Sequence, residues 1–313
     1  MSTLTKSGII AKGGTLFAPE LVKELFSKVK GKSALAALSA QQPIPFNGIE
    51  EWTFSMDDEV DLVAEGGVKS QGHADLAPRK ITPLKIEYSI RVSNEFMWAS
   101  QEEQISILST FLDGFAKKAA RGLDIMAFHG LNPRSKAASG LIGANHFDSG
   151  VTIINTGATP DEQVENAIAA VMANEYDVDG IAISPAFRSE LSKQTYEDGR
   201  KMFPDLTWGG MAGTLNGLNA ACNNTLSFNN SPDLAVVGAF SDAFRWGYAK
   251  NIFTKIIEYG DPDNTGKDLQ AYNQICIRCE AFVGWGILDK NAFAVIQPKQ
   301  QADPDTNSED DGV

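Results

Sequence analysis

Between Ile49 and Ser93 the chain carries two runs of alternating character separated by a long polar stretch. The first run sets Trp52, Phe54 and Met56 on one face, with polar residues between them. The second sets Leu84, Ile86, Tyr88, Ile90 and Val92 against Lys85, Glu87, Ser89, Arg91 and Ser93. A period of two belongs to a half-buried strand, not to a helix. The two runs therefore predict the limbs of an extended β-hairpin loop over 49–93. The connection, Asp57 to Lys80, is acidic, bears glycine and is poor in large apolar groups. It is far longer than the about two to five residues of an ordinary hairpin turn. A two-stranded arm of that length is marginal alone in water, so it calls for a partner outside its own chain.

The body that carries this arm is bounded by composition. The 313 residues suffice for one large or two modest domains. A hydrophobic share of 43% and a charged share of 21% are those of an ordinary soluble protein. No window approaches about eighteen uninterrupted apolar residues, which argues against a membrane-spanning helix. The N-terminal residues lack the apolar core of a secretion signal, and three cysteines cannot form a disulfide framework. A reduced, intracellular setting fits. The net charge of −13 opposes tight phosphate binding. Met1 to Lys32 runs the other way, with six lysines against Glu20 and Glu24. Lacking arginine and interleaved aromatics, that basic arm suits a protein contact better than nucleic acid. The tail after Lys299 carries Asp303, Asp305, Glu309, Asp310 and Asp311 and reads as a solvated acidic end.

In chain order, Pro19 to Lys30 predicts a short amphipathic helix, and Pro43 and Pro45 force an extended path into the arm. Ser100 with Glu103 forms a capping box ahead of the longest helix. Its apolar stripe is Ile105, Leu108, Phe111, Leu112, Phe115, Ala119, Leu123 and Met126. Gly114 and Gly122 inside it permit either bending or close packing, and Gly130, Asn132 and Pro133 end it. Leu141 to Ser149 reads as turns. Thr159-Pro160 opens a helix along Val164, Ile168 and Val171, Val178 to Ser184 is a strand, and Pro185 starts another helix. Leu234 to Phe240 is a buried strand. Phe244, Trp246 and Tyr248 alternate in the next, and Ile252 to Tyr259 forms another ahead of the turn Gly260 to Gly266. Leu269 to Val283 alternates again, Gly284-Trp285-Gly286 breaks it, and Ala292 to Ile296 closes the fold.

Chemistry is sparse. Cys276 and Cys279 form a CxxC, yet three residues apart on a strand they point to opposite faces, and no second pair exists to complete a zinc site. His73, His129 and His146 match neither HExxH nor HxxxH. There is no GxSxG elbow and no phosphate-binding P-loop. Asp57-Asp58-Glu59 with Asp61 lacks the sixth-place glycine and twelfth-place glutamate of a calcium loop. No catalytic, cofactor-binding or metal-binding residue is assigned. An arm that needs a partner, a basic N-terminus and a long bendable helix are features of assembly, not of catalysis.

In element order the chain resembles the major capsid proteins of tailed bacteriophages, an α+β architecture named after phage Hong Kong 97. The resemblance is carried by Phe46 to Ser93 with Ala64-Glu65-Gly66 in its loop, by Val92-Ser93-Asn94-Glu95, and by Arg121-Gly122-Leu123-Asp124 running to Gly130. Further on it is carried by Ile183-Ser184-Pro185 with Arg188 and Leu191, by Asp198-Gly199-Arg200 and Phe203, by Val236 to Ser241, and by Asp289 to Ala294. It implies an N-terminal arm and lead-in over 1–48, the extended hairpin loop over 49–93, a peripheral domain with the spine helix over 94–154 and 246–284, an axial domain over 155–245 and 285–297, and an acidic tail over 298–313. It implies a non-enzymatic protein that self-assembles, through hexamers and pentamers and an expanding procapsid, into an icosahedral shell around double-stranded DNA. The partners implied are other copies of the chain, a separate scaffolding protein, a portal and a decoration protein. The virion, assembled in the host cytoplasm, is the implied location. With the arm starting near Met1, no large cleaved segment is expected.

The same resemblance places the loop across a neighbouring subunit and the turn Gly260 to Lys267 near three-fold contacts. The intersubunit candidates are Trp52, Asp57, Asp58, Glu59, Asp61, Lys69 and Lys80 in the arm, Lys117, Lys118 and Arg121 on the long helix, and Asp261, Asp263, Asn264 and Lys267 in the turn. The acidic run at Asp57 to Asp61 is matched to the basic helix of a neighbour. Lys69 or Lys80 with Asn264 would be the pair for a covalent cross-link, and no cross-link is the default. An encapsulin-type shell around a cargo enzyme shares this fold. A dispersed-site α/β enzyme and a tail protein are the readings from other classes.

Overall fold

A computed structural model of the chain describes residues 33–56, 58–98, 101–209 and 213–299. The expected helix at Pro19 to Lys30, the basic arm up to Lys32, the cap at Ser100 and the acidic tail lie outside the described residues. The described residues fall into two compact units, one running to Ser149 and resuming over Phe240–Asp289, the other comprising Gly150–Ala239 and the residues from Lys290. The expected boundaries at 245/246 and 284/285 fall inside two long strands of the first unit.

The first unit opens with the short helix α1 (Ala34–Leu38), capped by the Ser33 hydroxyl, which accepts from Ala36 N. Two strands follow, β1 (Ile49–Met56) and β2 (Ala74–Ile81), paired antiparallel with Ile49 opposite Ile81 and Met56 opposite Ala74. They form a two-stranded sheet of their own. β3 (Leu84–Ser93) does not pair with β1 but lies in a separate three-stranded sheet. The extended hairpin is thus present, but its return limb is β2, a segment the sequence placed within the polar connection. β2 (ADLAPRKI) buries its last residue, Ile81, but carries no apolar alternation to mark it as a strand. β3 shows it strongly because a real core lies behind it.

The long helix α2 (Gln101–His129) runs unbroken through Gly114 and Gly122. Leu108, Leu112, Phe115, Ala119, Leu123 and Met126 are buried, as the stripe requires. A Cβ at Gly114 would meet nothing within 4 Å, so close packing does not explain that glycine. Gly130, at φ +65°, ends the helix in the left-handed region, where a Cβ would collide with the His146 ring.

The second unit follows in sequence: β4 (Thr152–Ile154), α3 (Pro160–Met172), β5 (Gly180–Ile183), α4 (Pro185–Lys193), β6 (Thr214–Leu215), β7 (Leu218–Cys222) and β8 (Ala235–Gly238). The first unit then resumes with α5 (Phe240–Ala243), β9 (Phe244–Ile257) and β10 (Gln274–Ile287), and β11 (Phe293–Ile296) returns to the second.

β9 is one continuous strand where the sequence suggested two. β10 runs through Gly284-Trp285-Gly286 instead of stopping before it. Those glycines make room: a Cβ at Gly286 would lie 2.6 Å from Ile81 Cγ1, and one at Gly247 1.7 Å from Gln42 O. They admit the incoming chain against the sheet and do not break it. The sheet order is β3-β10-β9, all antiparallel. Phe128, Phe147, Phe240 and Phe244 stack behind it, with Phe128 and Phe147 centroids 5.6 Å apart and Phe147 and Phe244 5.9 Å apart. Trp246 is buried and donates its Nε1–H to Ser39 O at 3.0 Å.

The second unit is built on the mixed sheet β4-β11-β8-β5-β7-β6. β4 with β11 and β5 with β7 run parallel, and the other pairs are antiparallel. Its core joins Val171 of α3, Phe187 and Leu191 of α4, and Ile181, Val237 and Ile296 from the sheet. Helices packed on a mixed sheet make this an α+β chain.

Candidate assembly surfaces

The connection between β1 and β2 is closed at its neck and open at its tip. Asp58 Oδ2 accepts from the backbone N–H of His73 at 2.7 Å and lies 3.0 Å from His73 Nδ1. These bonds, the backbone one first, hold the Asp58 carboxyl below its ordinary pKa. At the far end Gly67 N donates to Ala64 O at 2.9 Å, around Gly66 at φ +80°. Only glycine takes that conformation without strain. The neck leaves the intervening residues exposed: Val60 at 97%, Leu62 at 97% and Val68 at 94%. By composition this stretch is acidic and polar, and isolated valines and leucines in a polar run have no periodicity that marks them as a surface.

The arm candidates are distributed along this ribbon. Trp52 lies on β1, 59% exposed, and Lys80 is exposed on β2 opposite Glu50. Glu59, Asp61 and Lys69 are exposed in the loop, and Asp57 lies outside the described residues. Asp58 is committed to its own loop through His73. On α2, Lys117 and Lys118 are exposed, and Arg121 is half-buried with a partner within the chain.

The turn candidates converge on Arg91, one of the polar positions of the alternating run Leu84 to Ser93. Arg91 of β3 donates to Asp261 Oδ1 at 2.6 Å, to Asp263 Oδ2 at 2.9 Å, to Thr265 Oγ1 at 2.8 Å and to Lys267 O at 2.9 Å. The guanidinium holds the Asp263 carboxyl down to about 2, chiefly by direct hydrogen bonding, and the same pairing raises Arg91 further. Arg278 donates to Pro262 O at 2.7 Å from the other side of the turn. Asn264, at φ +53°, is exposed at the apex, and the Lys267 ammonium lies 5.4 Å from the Tyr272 ring centroid. Asp261 and Asp263 therefore shape the turn from within the subunit.

The thiols offer little chemistry. Cys276 and Cys279 are both buried, opposite Arg91 and Tyr88 in the β3–β10 register. Burial pushes the Cys279 thiol up to about 11, with Thr254 Oγ1 3.2 Å from its sulfur. Among the described residues, no helix is long and apolar enough to cross a membrane.

The model of the phage capsid family matches residues 13–297. The chain belongs to that family. A solved structure from Mycobacterium phage Ogopogo is 31% identical over 85% of this chain and 92% of its own, with a TM-score of 0.72. One from Gordonia phage Cozz is 22% identical over 85% and 86%, with a TM-score of 0.69. The capsid of a native GTA particle computed with C5 symmetry is 15% identical over 96% of each chain, with a TM-score of 0.59. No curated protein matches the chain by sequence. The fold is the Hong Kong 97-type α+β capsid fold, and the chain is a structural, non-enzymatic major capsid protein that self-assembles into the shell of the virion.

Proposed function

We propose that this capsid protein forms pentamers and hexamers that close an icosahedral shell around double-stranded DNA, by way of a procapsid that expands, in the host cytoplasm. One observation carries the intersubunit part. Val60, Leu62 and Val68 are held almost wholly in solvent, on a loop whose neck is tied by Asp58 and His73. Apolar side chains kept exposed by a deliberate clasp mark a contact surface. A second copy of the chain is the occupant, since self-assembly is the business of the family. Around that apolar centre Glu59, Asp61 and Lys69 make the polar rim, Lys117, Lys118 and Arg121 of the neighbour's α2 meet the acidic part of it, and Trp52 and Lys80 extend the contact along the ribbon. Asp261, Asp263, Asn264 and Lys267 form the turn at contacts between capsomers. The charge of −13 suits a container that must hold DNA without gripping it. A scaffolding protein, a portal and a decoration protein rest on the family resemblance alone.

Charge reversal tests the pairing. Glu59→Lys with Asp61→Lys should abolish closed shells while leaving the subunit's circular dichroism unchanged. Adding Lys117→Glu and Lys118→Glu in the same chain should restore them. Normal assembly of the acidic-loop variant refutes the pairing.

A further inference from the structure

The turn between β9 and β10 reads Asp261-Pro262-Asp263-Asn264-Thr265-Gly266-Lys267. Loops of the EF-hand kind take side-chain oxygens from the first, third and fifth places, glycine at the sixth and a backbone carbonyl at the seventh. Every one of those places is matched here, and a cation already sits among them. Arg91 Nη2 reaches Asp261 Oδ1, Asp263 Oδ1 and Thr265 Oγ1, Nε reaches Asp263 Oδ2, and Nη1 reaches Lys267 O. Asp261 is turned inward by accepting from Thr265 N at 3.1 Å and Gly266 N at 2.6 Å. The twelfth place is Tyr272, so the bidentate carboxylate that completes a calcium site is missing. A planar fork of N–H donors suits such a one-sided set of oxygens better than a spherical ion.

We infer that Arg91 is the resident cation of this turn and its positioning residue, holding a calcium-loop geometry with the chain's own charge. A guanidinium attached to β3 can be neither chelated nor diluted away, so the turn keeps its shape whatever the divalent ions outside. The consequence for the shell rests on the reading that the turn lies at capsomer contacts. The cation role does not.

The test uses the full chain with Arg91→Met, which keeps the bulk of the stem and removes the charge. Thermal midpoints are measured in EDTA and in millimolar calcium chloride at matched ionic strength, with terbium luminescence as a direct report of binding. The wild type should show the same midpoint in both. Arg91→Met should melt lower in EDTA, recover in calcium and bind terbium, and adding Asp263→Asn should remove both responses. If Arg91→Met does not fold, Arg91→Gln, which also removes the charge but keeps a polar end, is read the same way. A variant equally destabilised with and without calcium overturns the inference, as does a wild type whose midpoint rises with calcium through Asp263. Shell yield separates the two claims. Arg91→Met subunits that answer to calcium yet close shells equally well in EDTA would support the cation role and remove the turn from the capsomer contacts.

Discussion

The Ser33 hydroxyl donates to Asp124 Oδ1 at 2.5 Å, and the same carboxylate accepts from the backbone N–H groups of Ala34 at 2.9 Å and Leu35 at 3.4 Å. Asp124 is fully buried on α2, and it ties the entry of the chain to the spine helix. The first turn of α1 leaves donors without helical partners, and a carboxylate on another helix meets them. Asp124→Ala strands those donors away from water and should lower subunit stability by about 3 kcal/mol. Ser33→Ala removes the cap and should cost about 1 kcal/mol. The two share a network, so the double variant should cost less than the sum of the singles when measured by urea unfolding.

Two glycines should respond in opposite directions. Gly247→Ala sets a Cβ 1.7 Å from a backbone oxygen that cannot swing aside. Its cost should reach the top of the about 1–3 kcal/mol seen for overpacking, or exceed it. Gly114→Ala meets nothing within 4 Å in the middle of α2 and should stabilise by about 1 kcal/mol. Urea midpoints that moved the same way would contradict the assignment of Gly247 to close packing and of Gly114 to open space.

That contrast also says what was legible from residues alone. The stripe from Leu108 to Met126 revealed α2 because a buried face must repeat along a helix. Leu84 to Val92 revealed β3 for the same reason, but alternation says only that a strand has an inner face, not which strand it pairs with. Its partner is β10, remote in sequence. β2 was hidden because Ala74 to Ile81 has no apolar alternation and is a strand by its backbone pairing with β1. Gly284 and Gly286 looked like a break because their function, admitting Ile81 and the chain near Ile44, belongs to tertiary packing. The turn at Asp261 to Lys267 was legible as a turn, whereas its organiser, Arg91, lies on another strand.

The Arg91–Asp263 pair has a pH signature. The folded carboxyl sits at about 2, below its ordinary 3.8. A depressed acid stabilises the fold fully above the unfolded value and loses that contribution as pH falls through the folded one. The gap in urea midpoint between wild type and Asp263→Asn should therefore be constant from neutral pH down to about 5 and close between about 4 and 2. A gap unchanged at the acid end would show that the carboxylate is not held by a charge partner.

The central claim is that the clasped loop between β1 and β2 docks on a neighbouring subunit. Replacing residues 57–73 by Asn-Gly would join β1 to β2 through a two-residue turn and keep the ribbon. Negative-stain microscopy of this variant beside the wild type tests the claim most directly. The account predicts a folded subunit with an unchanged thermal midpoint and no closed shells. Intact shells in wild-type numbers would contradict it.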